Sequence, residues 1–150
     1  MMRFLFFILL ALSGCGESPL FNHDNEDNGP FGNTVFSGRD IYKFRKSHFL
    51  FTLDWDEAPR LGENKFVIRT WNKDRGTAQG PYEDTPGDLV VFLWMPAMGH
   101  GSAPVEIRHL GSGETEVSNV VFIMGGSWQV KFQLKKNGKV IDESVVTYRL

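Results

Sequence analysis

The sequence from His48 to the C-terminus alternates between hydrophobic and polar residues with a period of two. This period places successive side chains on opposite faces of a β-strand, so that one face becomes hydrophobic. The clearest run is residues 128–135, in which aromatic and aliphatic residues alternate with glutamine and lysine. Asn137-Gly138 comes soon after and is a strong hairpin signal, since both residues tolerate positive φ angles. Because no amphipathic helical pattern occurs, we predict an all-β fold.

Turn signals at short intervals divide this part of the chain into about seven strands. The predicted strands cover residues 48–55, 66–71, 89–94, 104–110, 115–124, 128–135 and 140–150. The run 89–94 is apolar on both faces, as expected of a central strand. The pattern is typical of a single antiparallel immunoglobulin-like β-sandwich, with a small closed barrel as the alternative. We assign residues 48–150 to this domain.

The first fifteen residues have the features of a secretion signal. Arg3 supplies a positive charge, and the apolar run 4–12 is too short to span a bilayer of roughly 30 Å as a helix. The run ends in Leu-Ser-Gly-Cys at Cys15, which resembles a bacterial lipobox. The resemblance implies that residues 1–14 are a lipoprotein signal peptide and that Cys15 is lipidated and becomes the new N-terminus. The alternative is an ordinary secretory signal with a chance cysteine.

The residue after the cysteine bears on the destination of such a lipoprotein. Position 16 is Gly16, not the aspartate that implies retention in the inner membrane. The resemblance therefore implies a protein in the outer membrane that faces the periplasm. Two or three acyl chains hold a protein stably at a membrane, so the membrane itself is a predicted partner.

Residues 15–47 are predicted to be the lipidated cysteine and a flexible tether. The stretch 16–33 is polar, acidic and interrupted by proline and glycine, so it cannot bury enough apolar surface to fold alone. His23 and the acidic residues after it are interpreted as part of this solvated linker and not as a metal patch. Residues 34–46 leave two alternatives, a loop across one end of the domain or a short edge strand.

Several classes of function are disfavoured by the sequence. The formal net charge of −2 argues against nucleic acid as a partner. The single cysteine excludes an intramolecular disulfide, and its place in the lipobox excludes a catalytic thiol. No Gly-x-Ser-x-Gly elbow or phosphate loop is present, and Ser102 cannot form a triad merely by lying close to His100. We predict that the protein is not an enzyme.

Two thioethers and one imidazole lie within six residues, as Met95, Met98 and His100. Thioether sulfur is a poor ligand for hard cations and a good one for Cu(I), and imidazole completes such sites. Glycines on both sides of His100 free the backbone to turn. The alternative is that the methionines fill gaps in the packing and the histidine is an exposed turn residue. The stretch alone leaves both possibilities open.

Two motifs in order resemble those of YtkA-like and FixH-like domains. The first is Met-Pro-x-Met-x-His-Gly at residues 95–101, and the second is apolar-x-Met-x-Gly-x-Trp at residues 122–128. Pro-x-x-Gly-x-Asn at residues 59–64 also agrees, whereas the aromatic residue of the usual Gly-x-Tyr turn is missing near Gly113. The resemblance spans about residues 48–147 and is greater to the YtkA-like branch, because FixH-like proteins usually carry a transmembrane helix.

The resemblance implies a periplasmic immunoglobulin-like domain linked to copper supply or respiratory-oxidase maturation, with a protein partner in that process. Its implied metal ligands are Met95, Met98, His100 and Met124, and the implied metal is Cu(I). Trp94 and Trp128 are expected in the core, and His109 at the surface. We therefore expect a membrane-anchored lipoprotein that binds Cu(I). The alternative is a metal-free interaction module that docks on an envelope complex.

Overall fold

The computed structural model describes residues 40–150. The predicted signal peptide, Cys15 and the tether up to residue 39 lie outside the described residues. The described part contains nine strands and no helix, in two antiparallel sheets. The strands are β1 Ile41–Lys43, β2 Phe49–Trp55, β3 Gly62–Asn72, β4 Asp88–Met95, β5 His100–Gly101, β6 Glu106–Gly111, β7 Glu114–Phe122, β8 Ser127–Lys136 and β9 Lys139–Arg149.

The two sheets pack face to face as a β-sandwich. One sheet has the order β1-β2-β3-β7-β6 and the other β5-β4-β8-β9. The all-β sandwich predicted from the alternation is confirmed. The order β2-β3-β7-β6 opposite β4-β8-β9 agrees with the A-B-E-D and C-F-G order of immunoglobulin domains. The immunoglobulin-like assignment itself stays a prediction.

Seven of the nine strands correspond to the seven predicted ones, and the additional two, β1 and β5, are short. β1 lies within residues 34–46, for which the sequence allows either a loop or an edge strand. It pairs with β2 and is an edge strand. Phe44, just after β1, is buried in the core. The sandwich therefore takes in residues upstream of position 48, where its start was predicted.

The core lies between the sheets and is built from their inward-facing residues. The alternating residues of β8 illustrate it, because Trp128, Val130, Phe132 and Leu134 are all fully buried. Phe132 meets Phe51 of the opposite sheet with ring centroids 5.0 Å apart. Aromatic pairs at this separation add to the stability that burial alone provides.

The sandwich has two ends with different residues. At one end, which we call the methionine end, lie the turn 96–99 between β4 and β5 and the turn 123–126 between β7 and β8. The second of these turns is tied to the end of β9, because Gly126 and Leu150 exchange two backbone hydrogen bonds of 2.8 and 3.0 Å.

The opposite end carries the β1–β2 turn and the β8–β9 hairpin. Here the buried carboxylate of Asp142, on β9, accepts hydrogen bonds from the backbone N–H groups of Lys46 and Ser47, at 3.0 and 2.6 Å. Burial by itself would raise the pKa of this carboxyl, but these N–H groups and that of Glu143 hold its pKa below the ordinary value. Asp142 thus fastens a turn of one sheet to a strand of the other.

Candidate metal centre

The first methionine turn is a short hairpin connection whose tip is exposed. The backbone N–H groups of Met98 and Gly99 both donate to the carbonyl oxygen of Met95, at 3.1 and 3.0 Å. Gly99 has a φ of 67°, in the left-handed region that glycine adopts without steric cost. The turn therefore closes tightly over Met95 and leaves Met98 56% exposed.

His100 begins β5 directly after this turn and is half-buried. Its Nδ1 lies 2.9 Å from the carbonyl oxygen of Gly101. Because a carbonyl oxygen can only accept a hydrogen bond, Nδ1 carries the proton in this contact. The neutral imidazole then has its lone pair on Nε2. A backbone hydrogen bond that fixes one ring nitrogen in this way is a usual feature of histidines that bind metals.

Trp128 connects His100 with the second turn. The indole is fully buried, and the imidazole lies against it with ring centroids 6.3 Å apart and planes at 68°. The indole N–H donates to the carbonyl oxygen of Met124 at 2.9 Å. One rigid side chain thus contacts both His100 and the backbone of Met124, and Met124 is 38% exposed.

Met95 differs from the other three predicted ligands because it faces the core. It is 4% exposed, and its terminal methyl fills the space in which a Cβ of Gly126 would lie. Its thioether would have to leave the core to reach a metal ion bound at the surface. The structure brings Met98, His100 and Met124 to the accessible surface of one end and places Met95 beneath them.

The expectation that Trp94 is a core residue is wrong. Successive residues of a strand face opposite sides, so the inward position of Met95 turns Trp94 outward. Trp94 is half-buried on the outer face of the sheet, where the ammonium of Lys131 lies 5.8 Å from its ring centroid. The expectation for Trp128 is confirmed by its complete burial.

The remaining candidates do not extend the site. His109 is exposed on β6, as expected of a surface histidine. The hydroxyl of Ser102 donates to the backbone carbonyl of Val121 at 2.5 Å. Within residues 40–150, no three His, Cys, Asp or Glu side chains are grouped so that they could hold a metal ion.

Sequence reasoning does not reveal the contacts by which Gly126 and Trp128 shape this end. The Gly-Gly pair at 125–126 signals only a turn, and nothing in it reveals that Met95 occupies the space above Gly126. The hydrogen bond from Trp128 to Met124 joins residues four apart, but its formation depends on how the turn between them is bent.

Comparisons with protein-family models, with curated proteins and with solved structures found no match. The resemblance to YtkA-like and FixH-like domains rests on the motifs quoted above and stays a prediction. Among residues 40–150, no helix is long and apolar enough to cross a membrane.

Proposed function

We propose that the protein is a lipid-anchored periplasmic protein that binds Cu(I) through Met98, His100 and Met124. The observation that carries the proposal is the hydrogen bond of the His100 ring, which determines its tautomer. Its Nδ1 lies 2.9 Å from the Gly101 carbonyl oxygen, which leaves Nε2 as the lone-pair donor of the neutral ring, and the two turns at the same end expose Met98 and Met124. Thioether and neutral imidazole are the donor types that suit Cu(I).

Met95 has a supporting function in this proposal. Its carbonyl oxygen holds the turn that carries Met98, and its side chain packs over the turn that carries Met124. Both turns are therefore placed with respect to each other by one residue. Such support beneath the ligands reduces the freedom that the site would lose when it binds a metal.

The cellular setting of the proposal comes from the sequence. The lipobox at Cys15 and the glycine after it support an anchor in the outer membrane with the domain in the periplasm. The resemblance supports a protein partner in copper supply or respiratory-oxidase maturation. We propose binding and transfer of the metal, with no catalytic residue.

The experiment is a titration of the purified protein with Cu(I) in competition with a chelator of known affinity. We expect Met98→Leu/His100→Ala to lower the affinity at least tenfold, because two of three donors are lost. His109→Ala is the matched control, since it removes an exposed imidazole from β6 and leaves Met98, His100 and Met124 in place. An unaltered affinity in the double variant, or an equal loss in the control, would contradict the proposal.

A second candidate function is a metal-free interaction module. The observation in its favour is that Leu61 and Ile123 are exposed at the same end as Met98 and Met124. The backbone register pairs Gly62 with Phe122, which places Leu61 beside Ile123. A group of exposed apolar side chains is a common mark of a protein interface. Failure of the wild-type protein to bind Cu(I) in the titration would favour this candidate.

A further inference from the structure

The end of the sandwich opposite the methionine end carries four exposed lysines. They are Lys43, Lys46, Lys136 and Lys139, and we call them the lysine end. Among residues 40–150, none of the four has a carboxylate oxygen within 4.0 Å. By contrast, Lys65 near the methionine end is paired with both Asp56 and Glu116.

The backbone of the two elements brings these lysines together. Lys136 and Lys139 are directly opposite each other across the tight Asn137-Gly138 turn. The β1–β2 turn is fastened beside this hairpin, because the N–H of Lys46 donates to Asp142 at 3.0 Å. Of the acidic residues at this end, Asp142 is buried on backbone N–H groups, Glu143 pairs with Arg45 at 2.9 Å, and Asp88 lies opposite Lys135 in the sheet.

The arrangement is unfavourable for folding. Like charges directly opposite on paired strands destabilise a sheet, and the pair Lys136–Lys139 has no described carboxylate to offset it. An anionic surface outside the molecule would provide the missing counter-charge. The methionine end would be a poor alternative contact for such a surface, because residues 56–63 carry three carboxylates against the single positive charge of Arg60.

We propose that the lysine end docks on the anionic phospholipid headgroups of the membrane to which the chain is anchored. This inference rests on the membrane anchor of the proposed function, and it does not depend on copper. Cys15 and Asp40 are 25 residue steps apart, a length that spans up to about 80 Å when fully extended, so the length of the chain permits either end of the domain to face the bilayer. With the lysine end on the headgroups, the methionine end points away from the membrane into the periplasm.

The test uses the full-length protein reconstituted into vesicles of phosphatidylcholine or of an equal mixture of phosphatidylcholine and phosphatidylglycerol. An environment-sensitive fluorophore is attached to a cysteine introduced at the hairpin tip, Asn137→Cys, or at the methionine end, Ala97→Cys. We expect a blue shift for the label at position 137 with the anionic vesicles only, and none for the label at position 97. The shift should decrease at high salt.

The charge variants make the test specific. Because each lysine near an anionic surface strengthens binding by about fivefold, Lys136→Gln/Lys139→Gln should weaken docking about 30-fold. Lys65→Gln/Arg149→Gln removes the same charge at the other end and should leave docking within about twofold of the wild type. Equal effects of the two double variants, or equal shifts on neutral and anionic vesicles, would overturn the proposal.

Flotation of the same samples separates docking from the anchor. A protein that floats with both kinds of vesicle but shows no shift at position 137 keeps its anchor and refutes docking. If the wild type floats with anionic vesicles only, and Lys136→Gln/Lys139→Gln no longer floats with them, docking is supported and the anchor is refuted. A protein that floats with neither refutes both.

Discussion

The terminal methyl of Met95 occupies the space in which a side chain at Gly126 would begin. Met95 ends β4 just before the turn 96–99, and Gly126 lies in the turn 123–126, so a larger side chain at either position would displace the other residue. Gly126 also has a φ of 137°, a conformation that residues with a Cβ rarely adopt. Through this contact the residue before the Met98 turn packs against the Met124 turn.

Gly126→Ala should destabilise the domain by about 2–4 kcal/mol, because the new methyl group meets Met95 and the backbone is strained. Urea denaturation measures the loss. Gly138→Ala is the matched control, since it also has a positive φ, 73°, but no atom lies within 4 Å of its added Cβ. It should cost only about 1 kcal/mol. If the two variants lose the same stability, or if Met95→Val does not reduce the effect of Gly126→Ala, the contact is not the cause.

Trp128→Phe should weaken Cu(I) binding although Trp128 is not a proposed ligand. The change keeps a ring in the core but removes the N–H that holds the Met124 carbonyl. We expect a loss of about 1–3 kcal/mol in the free energy of unfolding and a several-fold lower affinity for Cu(I). Phe122→Leu is a control, because it changes a buried neighbour of Trp128 and leaves this hydrogen bond intact. Equal changes in affinity in both variants would show that the hydrogen bond does not position Met124.

Asp142 should make the domain less stable in acid. Its pKa is lower in the folded state than the ordinary 3.8, so its contribution is present above that value and is lost as the pH falls through the folded pKa. Asp142→Asn should remove this contribution and cost about 1–3 kcal/mol at neutral pH, because the amide accepts fewer of the backbone hydrogen bonds. Chemical denaturation from pH 7 down to the acid range measures it. The difference between wild type and variant should shrink as the pH falls, and a constant difference would contradict the assignment.

Tyr148 should make the domain sensitive to alkali. Burial, with a smaller effect from Tyr42, raises the pKa of Tyr148, and burial beside Asp40 raises that of Tyr42 to about 12. A raised folded pKa means that stability is complete below the ordinary value of 10.0 and is lost as the pH rises above it.

Tyr148→Phe should therefore flatten the loss of stability at alkaline pH, while costing about 1 kcal/mol at neutral pH. The cost arises because the Trp55 indole N–H donates to the Tyr148 hydroxyl at 3.0 Å and would lose its acceptor. Thermal unfolding at pH 7 and pH 11 measures both effects. A variant with the same alkaline loss as the wild type would show that another group titrates.

The strands could be predicted from the sequence because burial on one face imposes a period of two. The same rule fails for residues 89–94, which are apolar at every position and therefore carry no information on which face is inward. For this reason the sequence wrongly predicts that Trp94 lies in the core, and it does not distinguish the inward side chain of Met95 from a metal ligand. β5 has only two residues, too few to show a period.

The candidate site could be predicted only as a set of residue types. Met98 and His100 are close in the sequence, and their proximity follows from it. Their relation to Met124 depends on Trp128, whose contacts require the packing of β8 between β4 and β9. Such a relation between distant segments has no signature in a single sequence.

The turn that displays Met98 is held by hydrogen bonds to one backbone carbonyl, that of Met95. Every residue carries such a carbonyl, so the residues of this turn are not chosen by the sandwich beneath them. Residues 96–99 can therefore be replaced by other residues while the sandwich stays the same, as happens in the hypervariable loops of antibodies. A different four-residue turn with glycine in its last position could be grafted here, and the sandwich would present it from the same rigid edge.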